Sequence, residues 1–189
     1  MSGGRTTKKW VIPPPIDEIT SQRLHNYPPY LRQILFNRGI TTIEAADQYL
    51  NASRPLADPF LLTDMDKAVE RLLSAAKTGE SIVVYGDYDV DGVTATAMMV
   101  EVLRSLDANV TAYIPNRFEE GYGLNLEAIQ NLHVSGAKVI LTVDCGIRSP
   151  READYARQIG VDLIISDHHH PEDDLPRGFA VICPKRESD

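Results

Sequence analysis

The sequence predicts an α/β fold: a parallel β-sheet flanked by helices, with an N-terminal helical segment ahead of it. Two observations predict it. After Gly79, five short apolar runs (IVVYG, VTAYIP, VILTV, DLIIS and AVIC) alternate with helix-length amphipathic stretches. That alternation calls for parallel strands joined by crossover helices that cover both faces of the sheet. Before Gly79 the apolar spacing is helical, and Pro28-Pro29 and the Pro55 to Pro59 segment break it into three or four short helices.

Taken in order, residues 1–15 mix Gly, Ser, Thr and Lys and end on Pro13, Pro14 and Pro15, the composition of a disordered leader with Trp10 as its candidate anchor. Residues 16–78 form the helical segment. Thr41 with Glu44 and Thr63 with Asp66 have capping-box spacing, in which the hydroxyl takes an orphan amide and the acid reaches back. Residues 79–189 form the sheet domain, with helices over GVTATAMMVEVLRSL, NLEAIQNLHVSG and SPREADYARQIG. In the last of these Ser149 is the cap and Pro150 takes the first helical position.

With 189 residues, 43% of them hydrophobic, the chain can bury one main core. It has no run of eighteen apolar residues, and no apolar stretch follows the charged N-terminus. Neither a membrane span nor a secretory signal is expected, and the protein is expected to be cytoplasmic. Cys145 and Cys183 end apolar runs and lack CxxC spacing, so they read as reduced buried thiols. The net charge of −8 is not the basic footprint of a nucleic-acid binder. Acids that neutralise divalent cations would account for part of it.

In open parallel sheets the ligand site lies beyond the carboxyl ends of the strands. IVVYG runs into Asp87-Tyr88-Asp89-Val90-Asp91-Gly92, VILTV into Asp144-Cys145-Gly146, and DLIIS into Asp167-His168-His169-His170-Pro171. Alternate residues leaving an extended strand point the same way, so Asp87, Asp89 and Asp91 are expected to converge. Carboxylates that close repel one another unless cations lie between them. The imidazole of His168 makes a mixed oxygen and nitrogen set that suits Mn²⁺ or Mg²⁺ better than Ca²⁺. Two such ions sharing one carboxylate are equipped to hydrolyse phosphoesters, and Asp144 is the candidate bridge.

Plainer readings exist for each motif. An EF-hand loop beginning at Asp87 would need Glu at its twelfth position, which is Met98. Asp and Gly also populate ordinary turns, and an imidazole-rich turn need bind nothing. Three motifs at matching strand ends favour a site. In Arg117-Phe118-Glu119-Glu120-Gly121-Tyr122-Gly123, Arg117 is suited to a bidentate grip on phosphate, with a salt-bridged surface loop as the alternative. Neither GxGxxG nor GxxxxGK[ST] occurs.

GDYDVDG, RFEEGYG, TVDCGI and SDHHHP, in that order, resemble the DHH phosphoesterase superfamily and, within it, RecJ-type exonucleases, over about residues 17–189. The resemblance implies a DHH phosphoesterase domain, two divalent cations (Mn²⁺ or Mg²⁺), and processive 5′ to 3′ degradation of single-stranded DNA in recombination and repair. It implies Asp89, Asp91, Asp144 and His168 as metal ligands and Asp87 as their neighbour in the catalytic set. It further implies that His169 contacts the scissile phosphate or acts as an acid, and that Arg117 holds a phosphate of the strand. Single-stranded DNA is the implied partner, with a repair helicase or single-strand-binding protein beside it, and a monomer is the favoured state. Relatives acting on pyrophosphate, cyclic dinucleotides or very short RNAs carry a histidine where this chain has Tyr85. Such a small-substrate phosphodiesterase or pyrophosphatase is one alternative; a metal-free scaffold, expected to have lost acids from these motifs, is the other. The family also supplies a further metal-binding Asp and further domains after the DHH motif. Residues 79–189 are therefore expected to be a truncated domain, and the isolated chain weakly active or inactive.

Overall fold

The computed structural model describes residues 11–52, 56–116 and 123–189. By its internal contacts the chain divides into two compact units, residues 1–56 and 57–189.

The first unit holds three short helices, α1 (Glu18–Arg23), α2 (Pro29–Phe36) and α3 (Ile43–Leu50). Asp17 caps α1 by accepting from the Thr20 amide, and Pro29 opens α2, where a missing N–H costs nothing. Leu24, Leu35 and Ala46 form a small core with Ile16, Tyr27, Leu31 and Ile40 around it. Residues 11–15 adopt neither helix nor strand, although the Pro14 carbonyl accepts from Gln33. The cap of α3 is Thr42, whose hydroxyl accepts from the Ala45 amide at 3.2 Å, and not Thr41. With the cap one residue later, Ala46 falls in the core.

The second unit begins with a 3-10 turn at Pro59–Leu61 and continues through α4 (Met65–Thr78), β1 (Ile82–Tyr85), α5 (Val90–Ser105), β2 (Val110–Tyr113) and α6 (Leu126–Val134). It then runs through β3 (Val139–Val143), α7 (Pro150–Gln158), β4 (Asp162–Ser166) and β5 (Ala180–Ile182). The five strands form one sheet in the order β2-β1-β3-β4-β5, with every neighbouring pair parallel. The order reverses between β1 and β3, which makes the gap beyond their carboxyl ends the switch point of the fold.

Strand side chains alternate between two cores. Val83, Tyr85, Ile140, Leu163 and Ile165 face Ala128 and Ile129 of α6 and Ala153 and Ala156 of α7. Ile82, Val84, Val139, Leu141, Val143 and Ile164 face Ala68 and Ala75 of α4 and Val100 and Leu103 of α5. Every residue of β1 and β3 is buried, whereas the edge strand β2 exposes Thr111 and Ala112. This is why the central strands read as unbroken apolar runs.

The sequence grouped α4 with the preceding helices; the structure packs it against the sheet unit instead. Its inward residues Ala68, Leu72 and Ala75 recur at helical spacing and enter the core beside β5, on a face that the helix-free connection from β4 to β5 leaves open. The Thr63–Asp66 capping box is not formed. The cap position is Asp64, at φ 64°, and its carboxylate accepts from the Val181 amide of β5 at 3.0 Å. Thr63 hydrogen-bonds Asp189. Tertiary partners thus override the local cap. Ser149 does cap α7 in position, with Pro150 at its first residue, but its hydroxyl makes no capping bond.

Two expected outcomes follow from this packing. A Cβ at Gly92 would lie 2.6 Å from the Asp87 nitrogen and oxygen and 2.8 Å from its carbonyl carbon, so α5 would have to move. Gly92→Ala should cost about 1–3 kcal/mol in denaturant unfolding. Arg71 joins Glu80 at 2.6 Å and Asp162 at 2.7 Å. Its hydrogen bond, against a smaller burial effect, holds the Glu80 carboxyl below the ordinary value of 4.5. A carboxyl lowered in the folded state stabilises fully above its unfolded value and ceases to do so as pH falls through its folded value. Glu80→Gln should therefore cost about 0.5–1 kcal/mol at pH 7, and the difference from the unsubstituted protein should shrink below about pH 4.5 and vanish in stronger acid.

Candidate metal centre

The site begins with a close approach at the end of β1. Gly86 lies against Thr96 and Gly92 against the Asp87 backbone, both too near for any Cβ, so the start of α5 is drawn onto the strand end. Thr96 donates to the Gly92 carbonyl at 2.7 Å and stays inside the helix. Asp89 is the cap of α5, and its Oδ1 accepts from the amides of Asp91 at 2.9 Å and Gly92 at 3.1 Å. Its other oxygen remains outside the cap. Asp87 is fully buried; its Oδ1 accepts from the Tyr88 amide, and its Oδ2 has no hydrogen-bond partner among the described residues.

Asp144 leaves β3 at φ 64°, a left-handed conformation that Asp tolerates better than most residues with a Cβ. Its amide still extends the ladder to the Ser166 carbonyl at 3.0 Å, and the turn behind it is closed by Thr142 donating to the Cys145 carbonyl and by Gly146 at φ 108°. The Asp144 side chain is therefore buried at the switch point, where its Oδ1 accepts no hydrogen bond. His168 Nδ1 stands 3.3 Å from that oxygen and His169 Nδ1 3.9 Å.

Asp144 is common to two clusters. One joins it to Asp87 and Asp89 and the other to His168 and His169, and within each cluster one candidate ligand atom per residue lies within 4.8 Å of the others. Burial, and then the neighbouring Asp89 charge, push the Asp144 carboxyl above the ordinary carboxylate range. The Gly92 amide, aided by that of Asp91 and opposed by burial, holds Asp89 below it. A cation beside the buried Asp144 carboxylate would offset both its burial and the neighbouring Asp89 charge. Two buried, unpartnered carboxylate oxygens beside imidazole nitrogens form a donor set that fits divalent cations.

Asp167, for which the sequence suggested no role of its own, organises the other wall. Its Oδ1 accepts from the amides of His168 at 2.7 Å and His169 at 3.0 Å and lies 2.7 Å from His169 Nδ1, while its Oδ2 accepts from the Ile147 amide at 3.0 Å. Burial works to raise the Asp167 carboxyl, but the His169 and Ile147 amides and the His169 imidazole outweigh it and leave it low. An ionised Asp167 requires a proton on His169 Nδ1 and leaves Nε2 as the working nitrogen. The signal was available in the sequence: Asp167 follows β4 just as Asp144 follows β3.

The expectation that three alternate aspartates converge holds for two. Helix α5 begins at Val90, so Asp91 sits on its first turn, exposed and outside both clusters, although it lines a cavity of about 480 Å³ with Asp144, Asp167 and His168. Extended geometry had stopped at Asp89. Arg117, the candidate phosphate holder, lies outside the described residues. Cys145 and Cys183 are free and buried, and burial pushes the Cys145 thiol far up. No helix among the described residues is long and apolar enough to cross a membrane.

Residues 81–189 match the model of the DHH family, N-terminal domain. Over 182 residues, 94% of this chain, the sequence is 40% identical to the single-stranded-DNA-specific exonuclease RecJ of Bacillus subtilis; over 158 residues, 83% of the chain, it is 40% identical to RecJ of Escherichia coli. It spans 23% and 27% of the lengths of those two relatives. Among solved structures, exonuclease RecJ bound to manganese superposes with a TM-score of 0.64 at 39% identity, covering 71% of this chain and 34% of that one. RecJ in complex with Mn²⁺ from Thermus thermophilus gives a TM-score of 0.64 at 32% identity, covering 88% of this chain and 22% of that one. The parallel sheet, its order of motifs and these likenesses agree, and the chain belongs to the DHH family.

Proposed function

We propose that this chain holds the metal centre of an exonuclease specific for single-stranded DNA, working with two divalent cations, Mn²⁺ or Mg²⁺. The observation that carries the reading is the buried, unpartnered Asp144 Oδ1, standing between an aspartate pair and a histidine pair. Likeness to RecJ proteins, including structures bound to manganese, supplies the substrate class.

In this reading Asp144 would be the shared ligand, with Asp89 and Asp87 on one side and His168 on the other, and Asp91, exposed on the first turn of α5 and lining the same cavity as Asp144 and His168, would complete the set. Cations held by these residues would supply a water of lowered pKa and offset the charge that develops on the phosphate. His169, its Nδ1 proton held by Asp167, turns Nε2 to the scissile phosphate; with a second proton on Nε2 the imidazolium donates to a phosphate oxygen and passes that proton to the leaving oxygen, returning to the neutral ring. Arg117 holds a phosphate of the strand. Digestion from the 5′ end, a monomeric cytoplasmic enzyme, and a repair helicase or single-strand-binding protein as partner all belong to the same reading.

The test is metal-dependent hydrolysis by the whole protein of end-labelled single-stranded DNA, beside pyrophosphate and a cyclic dinucleotide. Mn²⁺-dependent release of nucleotides from the 5′ end is expected, and exclusive turnover of the two small substrates would overturn the assignment. By calorimetry, Asp144→Asn should weaken Mn²⁺ binding by at least about 10- to 100-fold and lower turnover by at least about 100-fold. Asp167→Asn removes the requirement for a proton on His169 Nδ1 and should lower kcat about 10- to 100-fold, with a smaller effect on Mn²⁺ affinity than Asp144→Asn has.

A further inference from the structure

The two histidines of the motif face different spaces. His168 lines the larger cavity with Asp144 and Asp91, whereas His169 lines a second one of about 250 Å³ with Gly123, Gly146, Arg148 and Ser149. Asp167 lines both and divides them. Its carboxylate already takes up the Ile147 and His169 donors, so it offers the second cavity little unsatisfied negative charge.

Among the described residues lining these two cavities, Arg148 is the one permanent cation. It is exposed, and its Nε donates to the His170 carbonyl at 2.8 Å. That bond ties the guanidinium to the loop carrying the histidines and leaves both terminal amino groups without a bonded partner among the described residues. A planar fork fixed at one nitrogen and open at two is suited to the paired oxygens of a phosphate. Ser149 lies beside it, its hydroxyl unused in capping α7. A polyanionic strand drawn to a chain of net charge −8 also needs a cation near the acids that hold the metals.

We infer that the second cavity is a phosphate subsite for the nucleic-acid strand, in which Arg148 holds the phosphodiester next to the one cleaved while His169 serves the scissile group. This rests on the proposed nuclease reading, and it assigns Arg148 to substrate binding, leaving metal binding and bond cleavage to the acids and histidines. Substrates with one phosphodiester do not use the subsite; substrates with two or more do.

The test compares whole protein carrying Arg148→Ala or Arg148→Lys with the unsubstituted protein, in Mn²⁺, on a 5′-phosphorylated oligothymidylate and on bis(p-nitrophenyl) phosphate. Arg148→Ala should raise KM for the oligonucleotide about 10-fold or more with kcat little changed, and should leave hydrolysis of the single diester and calorimetric Mn²⁺ binding as they were. The Lys variant keeps the charge and loses the fork, and should recover part of the affinity. Oligonucleotide binding followed by fluorescence anisotropy in Ca²⁺ should lose about one unit of salt-dependence slope in the Ala variant. An unchanged KM and slope, or an equal loss on the single diester, overturns the subsite while leaving the nuclease reading intact. Absence of any phosphodiester hydrolysis by the unsubstituted protein overturns the nuclease reading, and the subsite with it.

Discussion

Like-charged carboxylates held within a few ångströms of one another are the constraint on which the rest of this structure depends. Asp87 and Asp144 are buried at the ends of adjacent strands, and Asp89 completes their cluster from the cap of α5. Two like charges 4–5 Å apart repel by about 3–4 kcal/mol at an effective dielectric near 20, a large share of the roughly 5–15 kcal/mol that holds a domain folded. Burial first, and the neighbouring Asp89 charge second, raise the Asp144 carboxyl above the carboxylate range, while the helix amides that cap Asp89 hold it below. The three acids within reach of one point, with unpartnered oxygens on Asp87 and Asp144, leave a position that a positive charge can fill.

The scaffold has to be stiff to keep the acids there. Central strands β1 and β3 are buried on both faces, so neither can twist away without opening an apolar core. Gly92 lets α5 rest directly on the Asp87 backbone, and the same helix start gives Asp89 the amides that fix one of its oxygens. On the opposite wall Asp167 ties the loop after β3 to the loop after β4 through Ile147 and the two histidines. Each acid thus has one oxygen committed to the fold or a backbone that is, and the remaining oxygens are left to the chemistry.

Much of this was legible in the sequence. Five apolar runs became five strands, because a strand covered on both faces must be apolar throughout. Asp144, singled out as a bridge because it stands alone after the middle strand, is the residue common to both clusters. Local signals failed where a distant partner competed: Thr63 bonds Asp189, and Asp64 turns to the β5 amide, in place of the capping box their spacing suggested. Asp91 failed for a different reason, because alternation predicts direction only while the chain stays extended, and the helix began one residue before it.

By itself the sequence determined the parallel sheet, the order of its helices and which residues would reach its carboxyl rim, since hydrophobic period and turn chemistry are properties of neighbouring residues. Only the tertiary structure decided that α4 would join the sheet unit, that Asp167 would orient His169, and that the two histidines would open onto separate cavities. Those outcomes depend on strand order and on contacts between positions far apart in the chain. No local pattern encodes them, because their energy exists only once the sheet has brought the partners together.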